Sequence, residues 1–368
     1  MKNGKRKVET PIQSQLREDD DVAQLFFLVS GENPTLPFSE IKAILDAEAI
    51  PHRVLEGLTQ VLRIEASPSC IEHVKFRSAM TRICGMEVFN CGAELEEILE
   101  NVRKAELSSV VGEGESFTVR ISRVRRSTPQ IAGTTLEKKI GEIIQKSVQE
   151  TRVDLKTPAK TLFGVLTDDR FIFGLKAATL RHGEYLERGP RRKIFFHPAA
   201  MPVKLARCMV NLAQPREGDL VLDPFCGTGS FLVEAGLMGC RALGFDVKRR
   251  MVRGTLRNLS LYGIVPEGLA VADARLVPLS EASVGCIVTD PPYGTSATTL
   301  GMETRELFGN FLSNAGDAVE KGRLVCLAAP RTLGVQEVGE RSGLKHLESH
   351  FIYIHHSLTR EVAVFRRE

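Results

Sequence analysis

The C-terminal half of the chain alternates short apolar strands with helices, and this alternation limits the possible fold more than any other feature. A helix is predicted over Met201–Leu212, and five buried strands follow it: Leu220–Leu222, Ala242–Phe245, Ala270–Val271, Cys286–Thr289 and Arg323–Ala328. Apolar strands separated by helices are typical of a parallel sheet covered on both faces. The last two strands, Phe351–His356 and Glu361–Phe365, alternate in polarity and predict an antiparallel hairpin at one edge. Residues 197–368 are therefore expected to form a doubly wound α/β sheet.

The first motif of this region is a glycine-rich turn. Asp223 ends the first strand, and Gly227 and Gly229 precede a helix, so that backbone N–H groups can approach a nucleotide-like ligand. Position 232 is leucine instead of the third glycine of a dinucleotide motif, and Gly-Lys-Ser/Thr is absent, which disfavours NAD and ATP. A carboxylate at the strand end suits the ammonium group of S-adenosylmethionine and would repel a pyrophosphate.

Two further acids follow the next two strands. Asp246 is placed to accept the ribose hydroxyls of an adenosine, and Asp273 can accept from an adenine amino group. Each acid alone is better explained as a helix cap or turn residue. Ligands of open α/β sheets bind beyond the carboxyl ends of the strands, so three acids at successive strand ends favour a cofactor site.

The fourth motif, Asp290-Pro291-Pro292-Tyr293, directly follows the strand Cys286–Thr289. The prolines lack N–H donors and restrict the backbone, so the carbonyl groups of Asp290 and Pro291 can project as fixed acceptors. Such acceptors can hold both N–H bonds of an exocyclic amino group and aim its lone pair at a methyl donor. Tyr293 can stack on the base while Asp290 accepts a proton. The motif indicates methyl transfer to a base amino group, with these four residues as the catalytic set.

The carboxylate of Asp290 also favours one base. Guanine presents N1–H and N2–H side by side, and one carboxylate can accept both. Adenine presents a donor beside an acceptor, which an asparagine amide would match better. Guanine N2 is therefore the preferred target, although a carboxylate can also take a single N6–H of adenine.

Residues 22–176 predict two small α+β modules. In the first, a strand at Gln24–Ser30, a helix at Ser39–Glu48 capped by Ser39, two strands and a helix at Ser69–Thr81 indicate a ferredoxin-like unit. The second has a helix at Glu94–Leu107, a strand at Ser116–Arg125, a helix at Ser127–Val148 and a final strand pair turned by Asp168 and Asp169. The expected organisation is a flexible extension over 1–21, modules over 22–85 and 86–176, a linker over 177–196 and the α/β domain over 197–368.

Charge, apolar stretches and cysteine spacing limit the cellular compartment and the partners that we expect for this protein. The net charge of +3 masks two basic segments: 117–129 is locally +4 and 170–197 is locally +5. No apolar stretch reaches the roughly 20 residues that a membrane span needs, and an acidic run at 18–21 stands where a signal peptide would be apolar. The eight cysteines form no Cys-x-x-Cys pair, so no metal site is expected. These features predict a cytoplasmic protein without membrane or metal partners.

The C-terminal half resembles the class I S-adenosylmethionine-dependent amino-methyltransferases. The matching segments are Phe196-His197-Pro198, Lys204-Leu205-Ala206-Arg207, Leu222–Ser230 and Thr289–Gly294. Beyond about residue 22 the chain is similar to the archaeal tRNA guanosine-10 N2-methyltransferases. The resemblance implies a Rossmann-like methyltransferase domain preceded by α+β ferredoxin-like and THUMP domains, with the N-terminal module gripping the tRNA 3′ end. By position it implies cofactor roles for Asp223, Phe225, Gly227, Gly229, Asp246 and Asp273.

The expected activity is transfer of one methyl group, or two, from S-adenosylmethionine to guanine N2 of tRNA. The expected RNA-binding residues come from the two basic segments: Arg120, Arg123, Arg125, Arg126, Arg191, Arg192 and Lys193. Three alternatives stay open at this point: a methyltransferase acting on adenine N6 or on another guanine N2, a protein-glutamine methyltransferase, and a non-enzymatic RNA-binding protein with a vestigial methyltransferase domain. The need for a small activator subunit is also open.

Overall fold

The structure is a computed structural model that describes residues 22–180, 183–189, 192–198, 200–276, 279–293 and 303–368. The extension over 1–21 and Arg191 lie outside these residues. The chain divides into two compact units. One contains residues 22–29, 50–75 and 82–179, and the other contains residues 30–49, 76–81 and 180–368. No helix of the described residues is both long and apolar enough to cross a membrane.

The N-terminal part of the chain forms an eight-stranded sheet and four helices. In chain order these are β1 (Ala23–Val29), α1 (Leu36–Ala47), β2 (His52–Leu58), β3 (Val61–Ala66), α2 (Cys70–Arg77), β4 (Thr81–Gly92), α3 (Leu95–Lys104), β5 (Ser116–Arg123), α4 (Gly133–Ser147), β6 (Arg152–Val153), β7 (Lys160–Thr167) and β8 (Arg170–Thr179). The strand order is β2-β3-β1-β4-β8-β7-β5-β6. Asp168 and Asp169 turn β7 into β8 with positive φ at both residues, as a tight type I′ hairpin requires.

Several predicted boundaries are wrong. The helix expected at Ser39 begins at Leu36, because Pro37 in its first turn already has the φ that a helix needs. Ser39 therefore lies inside the helix, where its Oγ donates to Glu348 Oε2 at 2.7 Å. The helix expected over 69–81 ends at Arg77, and Thr81 begins β4, which extends to Gly92.

The C-terminal part forms a seven-stranded sheet with helices on both faces. Its elements are α5 (Gly183–Glu187), α6 (Val203–Leu212), β9 (Leu220–Asp223), α7 (Ser230–Leu237), β10 (Arg241–Asp246), α8 (Arg249–Leu261), β11 (Gly268–Val271), β12 (Cys286–Thr289), α9 (Thr304–Ala318), β13 (Leu324–Pro330), α10 (Val335–Arg341), β14 (Leu344–His355) and β15 (Leu358–Arg367). The strand order is β11-β10-β9-β12-β13-β15-β14. Strands β9–β13 pair in parallel, and β14–β15 form the predicted antiparallel edge hairpin.

Both faces of this sheet are buried, as the continuous apolar strands predict. Val221 and Leu222 are neighbours on β9, yet they belong to different apolar clusters on opposite faces. On one face α6 and α7 cover the sheet, and on the other face α9 and α10 do so. The central position of β9, between β10 and β12, brings the ends of these three strands to one edge of the sheet.

A buried polar cluster joins residues 30–49 and 76–81 to this second unit. The carboxylate of Glu40, fully buried on α1, accepts from Asn211 Nδ2 on α6 at 2.9 Å and from the backbone N–H groups of Ala79 and Met80. The hydroxyl of Ser78 also donates to Glu40, at 2.7 Å. Burial raises the pKa of this carboxyl, and these four donors oppose that shift. The segment 22–85 therefore shares its residues between the two units.

Candidate active site

The glycine turn follows β9 and has the backbone that its sequence predicts. Gly227 and Gly229 have φ values of +52° and +77°, in the left-handed region that glycine tolerates best. A side chain at Gly229 would also collide, because a Cβ there would lie 2.7 Å from Thr255 Cγ2. At Gly227 a Cβ would lie 3.7 Å from the carbonyl oxygen of Phe225, an ordinary van der Waals contact. The turn therefore exposes backbone at Gly227 and is tightly packed at Gly229.

Helix α8 holds this turn through polar side chains that sequence reasoning missed. Thr255 Oγ1 donates to the carbonyl of Gly227 at 2.9 Å. Asn258 Nδ2 donates to the carbonyl of Thr228 at 2.9 Å and to that of Phe195 at 2.8 Å. Thr255 and Asn258 are fully buried. The available signal was the placement of two polar residues on the otherwise apolar face of an amphipathic helix.

Asp223 lies at the end of β9 with 1% of its surface exposed. Its Oδ1 accepts from Thr289 Oγ1 of β12 at 2.7 Å and from the N–H of Phe225 at 3.2 Å. Burial raises its pKa to about 7, against the effect of these two donors. No basic side chain of the described residues pairs with it. A carboxylate in this state would be stabilised by a cationic ligand group.

The other two predicted acids are already partnered within the chain. Asp246, at the end of β10, accepts from the N–H groups of Gly227 at 3.1 Å and Lys248 at 2.8 Å, so it supports the glycine turn. Burial raises its pKa. Asp273 forms an ion pair with Arg275, whose guanidinium lowers the pKa of that carboxyl. The pairing with Arg275 was not foreseen.

Asp290 follows β12, beside Asp223 along the same sheet edge. Its side chain is 17% exposed, and its Oδ1 is buried without a hydrogen-bond partner among the described residues. The guanidinium of Arg360 lies with Nη2 3.6 Å from Oδ2. Burial raises the pKa of Asp290 to about 6, and Arg360 acts in the opposite direction. In the described part of the site, this carboxylate oxygen therefore lacks a donor.

Arg360, at the start of β15, is the main site residue that sequence reasoning missed. It donates from Nε to the hydroxyl oxygen of Tyr293 at 2.8 Å and contacts Met201 Sδ through Nη1. Burial and the charge of Asp290 raise the pKa of Tyr293. Pro291 is buried, and Pro292 is half-buried. The sequence assigned residue 360 to a hairpin turn and gave no sign that the hairpin reaches the Asp290 motif.

The predicted RNA-binding residues fall in both units. Arg125 and Arg126 are exposed in the first unit, whereas Arg120 and Arg123 donate to the backbone carbonyls of Leu155 and Ile131. In the second unit Arg192 is exposed, and Lys193 Nζ donates to Ser230 Oγ at 2.8 Å at the start of α7. Arg191 lies outside the described residues.

Two further basic residues of the C-terminal unit point inward. Arg188, counted in the +5 segment, binds the buried carboxylate of Glu234 through Nε at 2.9 Å. Arg207, from the Lys204–Arg207 segment, binds the same carboxylate. Removing a positive charge from water is costly unless it is paired, so Glu234 fixes both side chains in the fold. Neither Arg188 nor Arg207 is available to a polyanion in this arrangement.

Both halves of the chain match known protein families. Residues 190–360 match the UPF0020 family, described as an RMKL-like methyltransferase domain, and residues 92–176 match the THUMP domain. The tRNA (guanine(10)-N2)-dimethyltransferase of Methanothermobacter thermautotrophicus is 38% identical over 346 residues, covering 94% of this chain and 99% of that protein. The enzyme of the same name from Methanocaldococcus jannaschii is 30% identical over 364 residues, covering 93% of this chain and 99% of that protein.

The fold has solved counterparts. TrmN from Thermus thermophilus aligns with a TM-score of 0.53 at 19% sequence identity, covering 94% of this chain and 100% of that chain. The structural match therefore extends over both units, and the sequence matches extend over nearly the whole of two archaeal enzymes. The chain belongs to the tRNA (guanine(10)-N2)-dimethyltransferase family, with a THUMP domain preceding a class I methyltransferase domain.

Proposed function

We propose that this protein transfers methyl groups from S-adenosylmethionine to N2 of guanosine 10 in tRNA, forming N2-methylguanosine and then N2,N2-dimethylguanosine. The observation that carries the proposal is the buried Oδ1 of Asp290, which has no donor among the described residues. An unsatisfied buried carboxylate oxygen costs free energy, and a guanine edge offers the N–H groups that would satisfy it.

The residues around the glycine turn suit S-adenosylmethionine. Asp223 is a buried carboxylate without a basic partner among the described residues, and the half-buried Gly227 has no side chain to block a ligand. Phe225 packs edge-on against Phe311, which fixes an apolar wall after the strand end. When bound, the cofactor supplies an electrophilic methyl group. The residues we assign to hold it are Asp223, Phe225, Gly227, Gly229, Asp246 and Asp273.

Asp290 and Tyr293 are the residues that we assign to the target base, with Pro291 and Pro292 fixing the backbone between them. The Asp290 carboxylate accepts N–H bonds of guanine, which orients the N2 lone pair for attack. As the new N–C bond forms and the methyl–sulfonium bond breaks, with a neutral thioether as the leaving group, N2 becomes more acidic and its proton passes to the carboxylate. For a second transfer the proton must leave Asp290 before the next methyl group arrives.

Arg360 acts as a positioning residue in this scheme. Its guanidinium touches Tyr293 and lies next to Asp290, so it orients the ring and favours the ionised carboxylate. Because Arg360 is only 13% exposed, water screens this effect weakly. The pair therefore keeps Asp290 able to accept N–H bonds near neutral pH.

Recognition of tRNA is assigned to both halves of the chain. THUMP residues Arg120, Arg123, Arg125 and Arg126, together with Arg191, Arg192 and Lys193, are proposed to contact phosphates. Structured RNA is held mainly through phosphate and shape contacts, and the target base must leave its stack to reach the Asp290 site. The cytoplasm is the proposed location, consistent with a tRNA substrate and with eight cysteines that are all unpaired and buried.

The test is the product formed on defined tRNA. An unmodified transcript is incubated with protein and labelled S-adenosylmethionine, and the nucleosides are separated by chromatography and mass spectrometry. Label is expected in N2-methylated guanosine at position 10. A matched tRNA with inosine at that position, which lacks the N2 amino group, should accept no label. Label in N6-methyladenosine, or undiminished label in the inosine tRNA, would contradict the proposal.

A further inference from the structure

Helix α8 carries a row of arginines on the side away from the glycine turn. At 100° per residue, an arc of about 100° contains Arg249, Arg250, Arg253 and Arg257, which we call the arginine row. All four are exposed. Thr255 and Asn258, which hold the glycine turn, project from the opposite side of the same helix. One helix thus fixes the proposed cofactor loop and presents positive charge outward.

Among the residues that the structure describes, no acidic side chain neutralises the charge of this row. Residues 247–266 contain no aspartate or glutamate, and Lys248 adds a further cation. No carboxylate among the described residues forms an ion pair with any arginine of the row. Arg250 lies over the ring of Phe195 at 5.7 Å, and this aromatic contact does not neutralise the charge of its guanidinium. Elsewhere in the unit, by contrast, Arg305 and Arg341 share Glu337.

The spacing and position of these arginines destabilise helix α8. Arg249 and Arg253, and Arg253 and Arg257, are four residues apart, where like charges repel. The cations of the first turn also face the positive end of the helix dipole, and that turn contains no acid. A sequence that breaks local rules without compensation in the fold usually does so for function. A bound polyanion would remove both penalties.

We propose that the arginine row binds the phosphate backbone of tRNA; this inference rests on the proposed function and adds a contact surface to the methyltransferase domain. Eight residues separate Arg249 from Arg257, so the row rises about 12 Å, enough for about three nucleotides of one strand. The surface lies apart in sequence from segments 117–129 and 170–197. Its position on α8 places the phosphate contact on the helix that holds the glycine turn.

The test compares tRNA binding by the wild-type chain with the triple variant R249Q/R253Q/R257Q. We expect the Kd for tRNA to rise at least about tenfold at low salt, and the slope of log affinity against log salt to become shallower by about 2 to 3. The R249K/R253K/R257K variant should retain most of the affinity, because phosphate contacts need the charge. A second control, R216Q/K321Q/R341Q, removes the same charge from other exposed sites of the unit.

The outcomes separate this inference from the proposed function. If wild-type protein methylates tRNA but the glutamine variant keeps its Kd and salt slope, the arginine row is not a tRNA site. Equal losses in the R216Q/K321Q/R341Q control would also overturn it, because net charge alone would then explain the effect. Absence of methylation by the wild-type protein would instead contradict the proposed function. The Kd for S-adenosylmethionine, measured by calorimetry, should be unchanged in all variants. If the triple variant misfolds, R253Q alone is tested instead, and its salt slope should become shallower by about 1.

Discussion

Replacing Arg360 with glutamine should shift the acidic limb of the profile of methylation rate against pH to higher pH. In the wild-type site Arg360 lies 3.6 Å from the Asp290 carboxylate and favours its ionised form, while burial raises the pKa to about 6. Glutamine keeps an N–H donor for the Tyr293 hydroxyl but removes the charge. Burial then acts on Asp290 without an opposing cation, so its pKa must rise.

The size of the shift follows from the geometry. A neighbouring guanidinium typically lowers a carboxyl pKa by about 1–3 units, so its loss should raise the pKa of Asp290 from about 6 to about 8. At pH 6.5 the ionised fraction would fall from about three-quarters to about 3%, a decrease of roughly 25-fold. Raising the pH to about 9 should restore most of the rate, because Asp290 is then ionised in both proteins.

The assay is single-turnover methylation at saturating tRNA and cofactor, measured from about pH 5.5 to 9, so that the rate reports chemistry rather than product release. R360K keeps the charge and should retain the wild-type acidic limb. Arg360 does not set the ionisation of Asp290 if the acidic limb of R360Q stays near pH 6, or if its rate is reduced equally at every pH. An equal reduction would mean that Arg360 serves only to hold Tyr293.

Three further predictions concern single residues of the site. Asp290→Asn should lower the methylation rate by at least about 100-fold with an unchanged Kd for S-adenosylmethionine by calorimetry; a near-normal rate would exclude Asp290 as the acceptor. Asp223, with a folded pKa of about 7 against about 3.9 unfolded, makes the fold less stable as pH rises from about 4 to 7. Asp223→Asn should therefore be more stable than wild type by up to about 4 kcal/mol at pH 8 and equally stable near pH 4, by urea denaturation; a gap independent of pH would contradict this. Gly229→Ala, with positive φ and a Cβ 2.7 Å from Thr255, should lower the free energy of unfolding by about 2–4 kcal/mol in urea denaturation. Gly263→Ala, with positive φ but open space around the Cβ, should lower it by about 1–2 kcal/mol. Equal losses would show that Thr255 moves away from the new methyl group at little energetic cost.

The order of strands and helices in the C-terminal half is predictable from the amino-acid sequence, because each element there has its own apolar pattern and each turn its own glycine or acid. The motif at Asp290–Tyr293, the glycine turn and the edge hairpin were all placed on the correct elements for the same reason. Sequence patterns predicted the elements less well at the junction between α2 and β4. The helix predicted over Ser69–Thr81 included the first residue of β4, and the rest of this strand, through Gly92, was not predicted.

Which polar and charged side chains contact each other depends on the tertiary structure. Asp223 and Thr289 are 66 positions apart, and Asp290 and Arg360 are 70 apart, yet parallel strand order and the edge hairpin bring each pair together. Charge counted along the chain treated Arg188 as part of a basic segment, although it is bound to the buried Glu234. Whether a charge is solvated, paired or buried depends on its neighbours in space. Hydrogen bonding, desolvation and Coulomb interactions all act over a few ångströms, and the sequence alone does not give those distances.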